Sequence, residues 1–478
     1  MAKLKNIIKQ LSTSDFQAIY NSLIESNAEK SAYLLKSMRE KHLSDTKIME
    51  ELDVNTNAYY TLRSRLNQKI EEYLLQQMEN PRTDILKKVA NINEIIFTKK
   101  RAIAVATLKK LEKELLDYDL SNELTIVYKT LKKLHINTPD LFNYSQLYNK
   151  HVAYMLAVDK AEDLLAEYFK KYGIYSLTGA DEDKLALTLL NTEMNNVCRL
   201  YTSHRLYVYQ SCMGIFHRLF VDEESMEEDE EPIEDILNNI AKIFSSYYLD
   251  SIYYHLKLVF EFLKLEYYNH YKVFKKAEKY FEEVNESASI LLSNYSLYTY
   301  PAQFLLTKIQ RHNRTENDTM MYEENIAIFQ DFEIDTNDVP KYITYITYRA
   351  ISCYYASKYD EAARWINNLL NDLSLKKFPQ AQLEIKLILA LQYCLMNDYE
   401  LFNQLINSIQ RQIRLLGKDN CEHILLFTKI IKTSISDNKK NKAPKIRTHV
   451  ERLKRIELPY FSPIMYIKMD ENFINRLS

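Results

Sequence analysis

Few residues in this chain are spaced for chemistry. Glu266 stands four residues before His270 on one helix face, with His255 in the same aromatic-rich stretch, a set that could ligate a metal. Satisfied interfacial histidines give the same pattern and are the preferred reading, so no metal or other cofactor is expected. No histidine follows a glutamate by three residues, no His-x-x-x-His or His-Glu-x-x-His exists, and there is no Walker loop, GxGxxG or GxSxG. The chain is therefore not expected to be an enzyme. The residues that do suggest a contact are polar. Asn57, Tyr60, Thr61, Ser64 and Gln68 share one stripe of a helical stretch, with Arg63 and Arg65 on its flanks. Asn and Gln can read adenine edges in the major groove, while arginines and hydroxyls hold phosphates, so Asn57, Tyr60, Thr61, Arg63, Ser64 and Arg65 are the candidate nucleic-acid contacts.

The elements that would position them lie in Asp45 to Leu66, DTKIMEELDVNTNAYYTLRSRL. Ile48 and Leu52 fall inward from a first helix, Val54 plugs a turn, and Tyr59, Leu62 and Leu66 seat a second helix at i, i+3, i+7. Asn55 is read as the cap of that second helix, because Asn accepts hydrogen bonds from the first free amides. The stretch resembles a helix-turn-helix, which implies DNA binding. Met49 stands where such motifs usually carry Ala, and Asp53 where the turn usually has Gly; Asp tolerates the left-handed conformation, so the turn remains feasible. Residues 1 to 80 hold eleven Lys or Arg against eleven Asp or Glu, without the positive excess that phosphate binding favours. A protein contact and plain packing therefore stand as alternatives for this unit. From Leu66 to Met78 the pattern continues into a packing face or a dimer seam.

Composition bounds the rest. Only 4 Gly and 9 Pro occur in 478 residues, so turns needing positive φ should be few, and strand-rich folds and phosphate loops are disfavoured. The expectation is an all-α chain, long enough for two or three domains or for a solenoid. A net charge of -2 offers no global field for nucleic acid or an anionic membrane, so any such binding must be local. The five cysteines are odd in number and lack CxxC spacing, which suits core packing in a reducing compartment; with no signal-length or membrane-length apolar run, a cytoplasmic protein with no membrane partner is expected. The 38 tyrosines are read as half-buried helix-packing residues, not as stacking platforms.

From Arg82 the chain reads as antiparallel helix pairs. Tyr359 to Leu370, YDEAARWINNLL, and Asp398 to Ile409, DYELFNQLINSI, each follow a helix of about fifteen residues and resemble tetratricopeptide repeats. Ala350, Tyr359, Ala362, Ile366 and Leu369 fit the first; Ala390, Tyr399, Ile406 and Ile409 fit the second, where Phe402 replaces a small alanine. Weaker echoes are Ala277 and Phe281, and Ala161 and Leu165. The resemblance implies a helix-turn-helix-like N-terminal unit followed by a tetratricopeptide-like right-handed α-solenoid with degenerate repeats, as in bacterial helical-repeat transcriptional regulators. It implies a groove for a protein or peptide, lined by Tyr348, Ser352 and Tyr355 or by a neighbouring face including Lys386. The expected divisions are 1–80 for the N-terminal unit, 81–221 for a first helical-repeat segment, 222–232 for an acidic loop, 233–437 for the repeats and 438–478 for a basic helix and tail. Asp222 to Glu231 holds eight carboxylates and reads as a solvated connector; Lys439 to Arg455 holds eight Lys or Arg and reads as a phosphate contact or a polar cap. Double-stranded DNA and a partner protein are the expected partners, and a scaffold without nucleic-acid binding is the alternative.

Overall fold

In the computed structural model, Ile48, Tyr59, Leu66 and Ile70 close on Phe16, Ile19, Leu23, Leu34 and Leu35 to form one buried apolar cluster. The structure describes all residues except 1–3, 5–7, 9, 10, 12, 27, 40–44, 78–80, 202, 223–230, 248, 249, 318, 319, 331–334 and 436–441. The cluster is built by α1 (Thr13–Glu25), α2 (Glu29–Arg39), α3 (Asp45–Leu52) and α4 (Thr56–Gln77). A second cluster, with Ile85, Leu108, Leu111, Leu124 and Leu131 at its centre, joins α5 (Pro81–Ala90), α6 (Ile92–Thr98), α7 (Arg101–Asp117) and α8 (Ser121–Leu134). Both belong to a first compact unit, Met1–Ala153 with Tyr247–Ser251.

The second unit is Tyr154–Ser246 with Ile252–Ser478, and the division falls inside α9 (Asp140–Thr178). It contains α10 (Asp181–Leu200), α11 (His204–Phe220), α12 (Ile233–Ser246), α13 (Ser251–His270), α14 (Phe274–Glu286), α15 (Ala288–Asn294), α16 (Gln303–Thr315) and α17 (Met320–Gln330). There follow α18 (Val339–Tyr355), α19 (Tyr359–Asp372), α20 (Pro379–Leu395), α21 (Tyr399–Leu416), α22 (Glu422–Ile435), α23 (Lys442–Leu453) and α24 (Glu471–Leu477). Every element among the described residues is an α- or 3-10 helix, so the chain is all-α. Among them no helix is long and apolar enough to cross a membrane. The five cysteines are unpaired, and burial pushes the Cys353 thiol to about 12 and that of Cys394 to about 11, away from nucleophilic use.

Positive-φ turns are few among the described residues, eight in all, and most are made without glycine. Asp53, Asp119, Lys272, Glu316, Ser357 and Asn397 adopt positive φ, beside Gly179 and Gly417. Lys272, Ser357 and Asn397 share one three-residue turn. In each, the next residue's amide reaches back to a carbonyl near the helix end: Val273 to Tyr268 at 2.8 Å, Lys358 to Cys353 at 2.9 Å, and Asp398 to Tyr393 at 3.0 Å. These bonds satisfy carbonyls that a helix end leaves open, which offsets the left-handed strain of a Cβ-bearing residue. The turns open the three stretches beginning at Val273, Tyr359 and Asp398, whose inward residues Ala277, Ala362, Ile366, Phe402 and Ile406 are buried.

Polar groups enter the second unit's core under constraint. Lys308 is wholly buried and meets Glu324 at 2.5 Å, with His312 on the same carboxylate at 3.0 Å. Burial alone would raise the Glu324 carboxyl, but His312 and Lys308 outweigh it and hold the group at about 2. Glu266 meets no such cation among the described residues. Burial pushes its carboxyl to about 8 against an opposing hydrogen bond, donated by the Thr307 hydroxyl at 2.7 Å.

Two outcomes follow from these environments. Glu266 holds its proton more tightly in the folded than in the unfolded chain, so stability falls as pH rises from about 4.5 to about 8. Glu266→Gln, a neutral stand-in for the protonated acid, should flatten that fall in urea denaturation midpoints; an unchanged slope would mean the carboxyl is ionised in the fold. Ser357→Gly should raise stability by about 1 kcal/mol by relieving the left-handed strain, with the gain read from the same denaturation curves.

Candidate functional site

The first unit presents the clearest division of inward and outward residues. Along α4, Tyr59, Leu66 and Ile70 are buried and Leu62 packs against the same cluster, while Thr61, Ser64, Arg65, Gln68 and Lys69 are exposed. The helix is positioned by its turn. Asp53 takes φ 47, and the Val54 amide bonds back to the Met49 carbonyl at 3.1 Å. Asn55 then caps α4, its Oδ1 accepting from the Ala58 amide at 2.9 Å. Lys30 donates to the Leu52 carbonyl at 3.3 Å, and Tyr33 donates to the Glu51 carboxylate, tying α2 to α3.

Arg63 is not on the exposed flank that the sequence suggested: it is buried, at 8% exposure. The reason is helical phase. Position 63 lies four residues after Tyr59 and three before Leu66, which places it on the core side of the same stripe. The side chains of Asn57 and Tyr60 lie outside the described residues. Of the residues named from the sequence, Thr61, Ser64 and Arg65 are therefore the exposed ones, beside Gln68 and Lys69. Lys30, Arg65, Gln68 and Lys69 line a concavity of about 680 Å³ between α1, α2 and α4.

In the second unit the expected groove residues meet a different environment. Thirteen of the 17 residues of α18 are buried, because the helix packs against α16, α17 and α19. Tyr348 is wholly enclosed with its ring 6.3 Å from Phe329, and Ser352 is buried, donating to the Arg349 carbonyl at 2.8 Å. Neither can line an open groove. Lys386 points between helices, donating to Ser408 Oγ at 3.2 Å and Gln412 Oε1 at 3.1 Å, and burial lowers its pKa. Tyr355 is also buried, and its hydroxyl does hold a peptide: the chain's own residues 466–468.

That contact belongs to a segment the sequence reading passed over as part of the basic tail. The Tyr355 hydroxyl donates to the Tyr466 carbonyl at 2.7 Å and accepts from the Lys468 amide at 2.9 Å. Asn313 Nδ2 donates to the same Tyr466 carbonyl at 3.0 Å. Ser462 Oγ donates to Glu384 Oε2 at 2.9 Å, and His423 Nε2 engages Glu384 Oε1 at 2.5 Å. Because Glu384 stands between them, the serine and histidine do not meet, and this is not the nucleophile and base arrangement of a hydrolase. The signal that could have found the segment is its run Phe461-Ser-Pro-Ile-Met-Tyr-Ile467, apolar and broken by Pro463, within a polar neighbourhood.

The other sequence candidates separate. Glu266 is buried while His255 and His270 are exposed, and no group of three or more His, Cys, Asp or Glu among the described residues could hold a metal. The acidic run lies outside the described residues between 223 and 230. From Lys442 onward the basic stretch forms α23, with Ile446, Val450 and Leu453 buried and Arg447 paired with Glu471 at 2.7 Å; residues 439–441 lie outside the described part.

Removing the α4 cap tests how far the turn fixes the exposed face: Asn55→Ala should lower stability by about 1 kcal/mol in thermal or urea unfolding, and a loss near zero would show that the cap is not formed. Comparisons with protein-family models, curated proteins and solved structures found no match to this chain.

Proposed function

We propose that this protein is a non-enzymatic regulator that contacts duplex DNA through the exposed face of α4 and a partner protein or peptide through its second unit. The observation that carries the reading is the segregation along α4, with Tyr59, Leu66 and Ile70 inward and Thr61, Ser64, Arg65, Gln68 and Lys69 outward. Arg65 and Lys69 suit phosphates, and Thr61, Ser64 and Gln68 suit base edges or sugar and phosphate oxygens. Arg65, Gln68 and Lys69 share a concavity with Lys30, where three cationic side chains stand with one carboxylate, Glu29. For the second unit, the reading is supported by the inward small and apolar residues Ala277, Ala362, Ile366 and Ile406, which follow turns of a kind also found at Asp53 and Asp119. Such stacked helix pairs commonly serve protein contacts.

A second reading is favoured by charge. Residues 1 to 80 carry equal numbers of basic and acidic side chains, and the burial of Arg63 removes one cation from the exposed face. A unit of that balance suits a protein surface, and the chain would then be a scaffold.

Selection of bound fragments from a random duplex pool by the intact chain separates the two. Under the first reading a defined sequence is enriched, and Arg65→Ala weakens binding to all duplexes alike while reducing the log–log salt slope by about one. Arg63→Ala should instead leave that slope unchanged and lower thermal stability, since it removes buried side-chain packing. Absence of binding to any duplex at low salt would favour the scaffold.

A further inference from the structure

The segment from Tyr460 to Lys468 is held as a bound peptide is held. It contains no α-helix, only the short 3-10 turn Pro463–Tyr466. Its partners are remote in sequence: Tyr460 donates to the Phe220 carbonyl at 2.9 Å over a separation of 240 residues, Ser462 reaches Glu384 over 78, and Tyr466 meets Tyr355 over 111. Side chains of the helices satisfy its backbone, as irregular buried chain requires. It also has two faces. Phe461, Pro463, Ile464, Tyr466 and Ile467 are buried, whereas Met465 is 50% and Tyr460 45% exposed.

The receiving surface is shaped for this course. At its start, Gly179 has φ +60, and a Cβ there would come within 2.8 Å of Tyr460 Cβ. The Tyr460 ring lies 4.8 Å from that of Tyr175. In the middle, Glu384 is wholly buried and turns one carboxyl oxygen to the segment and the other to His423. Beside Pro463, Ile346, Ala350, Ile351, Ile385 and Ile388 leave a cavity of about 10 Å³, so packing there stops short of a close fit. At the end, the Tyr355 hydroxyl bonds the chain on both sides of Ile467, a clamp that reads backbone and not side chain.

We propose that this surface is a peptide-binding seat whose resident ligand is the chain's own 460–468 segment, and that an extended peptide from a partner protein displaces it. The ligand chemistry is that of the resident: an aromatic residue, then Ser-Pro, an apolar residue, and a Tyr one position further on. Glu384 selects a hydroxyl donor, the isoleucine-lined hollow takes proline and the apolar residue, and Tyr355 with Asn313 takes the backbone. This assignment rests on the reading of the second unit as a protein-contact module and names the contact. Attached to the same chain, the resident competes at a local concentration on the order of millimolar, which keeps the seat closed to weak ligands.

The test uses the full chain and a fluorescent peptide copying residues 457–470, with binding read by anisotropy. Ser462→Asp in the protein sets a second carboxyl group against Glu384, and Gly179→Ala displaces Tyr460 from the other end; each should open Lys468, whose amide is held by Tyr355, to trypsin. Either variant should bind the peptide at least tenfold more tightly than the wild-type chain. Adding Tyr355→Phe should remove most of that gain, and a peptide carrying Ser462→Asp should not bind. The proposal is overturned if the peptide binds neither variant although trypsin shows the segment released. Loss of the whole helical circular dichroism signal in both variants would overturn it too, because the segment would then be an inseparable part of the core. DNA binding is read separately through Arg65→Ala, so failure here removes the seat and leaves the α4 reading standing.

Discussion

The Tyr355 hydroxyl, bonded at once to the Tyr466 carbonyl and the Lys468 amide, is the contact on which the organisation of the second unit turns. Helix pairs that follow one another along a chain pack against their neighbours without long-range help. The 460–468 segment adds what neighbour packing cannot. It touches the ends of α9 and α11, the middle of α20 and the C-terminal end of α18, and so couples helices far apart in sequence. Its hold is a set of a few directional bonds around an apolar strip. A hydrogen bond adds only about 1 kcal/mol net, but a buried backbone group left unpaired costs about 1–3 kcal/mol, so the segment is either seated in register or out.

The enclosure of α18 comes from its helix neighbours, and the segment closes its C-terminal end. A leading helix of a repeat pair was expected to show one side to an open groove, yet Tyr348 and Ser352 are buried by α16, α17 and α19, and Tyr355 by the segment. The chemistry expected of a groove, aromatic hydroxyl and side-chain amide groups holding an extended peptide, is present at Tyr355 and Asn313. The occupant is intramolecular.

What the sequence made legible was local. The α4 cap at Asn55, the left-handed Asp53 and the inward Ile48, Tyr59 and Leu66 follow from spacing and from the conformational tolerance of Asn and Asp. So do the all-α class and the buried positions of the helix pairs after Val273, Tyr359 and Asp398. Arg63 was misplaced because its charge outweighed its phase: three residues before Leu66 is the inner stripe whatever the side chain. Positive-φ turns are few, as the glycine count implied, but Lys272 and Ser357, residues without the tolerance of Asn or Asp, reach that conformation through the hydrogen bonds that close a helix end. The seat was illegible for a different reason. Contacts between Tyr460 and Phe220, or between Asn313 and Tyr466, span 240 and 153 residues and leave no trace in periodicity.

The central claim is that the 460–468 segment is a separable ligand of the helices that hold it. Native-state hydrogen exchange measures this directly, since opening free energies distinguish a part that detaches from a part that leaves only with the whole. The account predicts that the Lys468 amide exchanges through an opening several-fold more frequent than those protecting the cores of α18 and α20, and that Ser462→Asp removes protection at Lys468 while sparing those helices. Equal opening free energies at Lys468, α18 and α20, in wild type and variant alike, would contradict it.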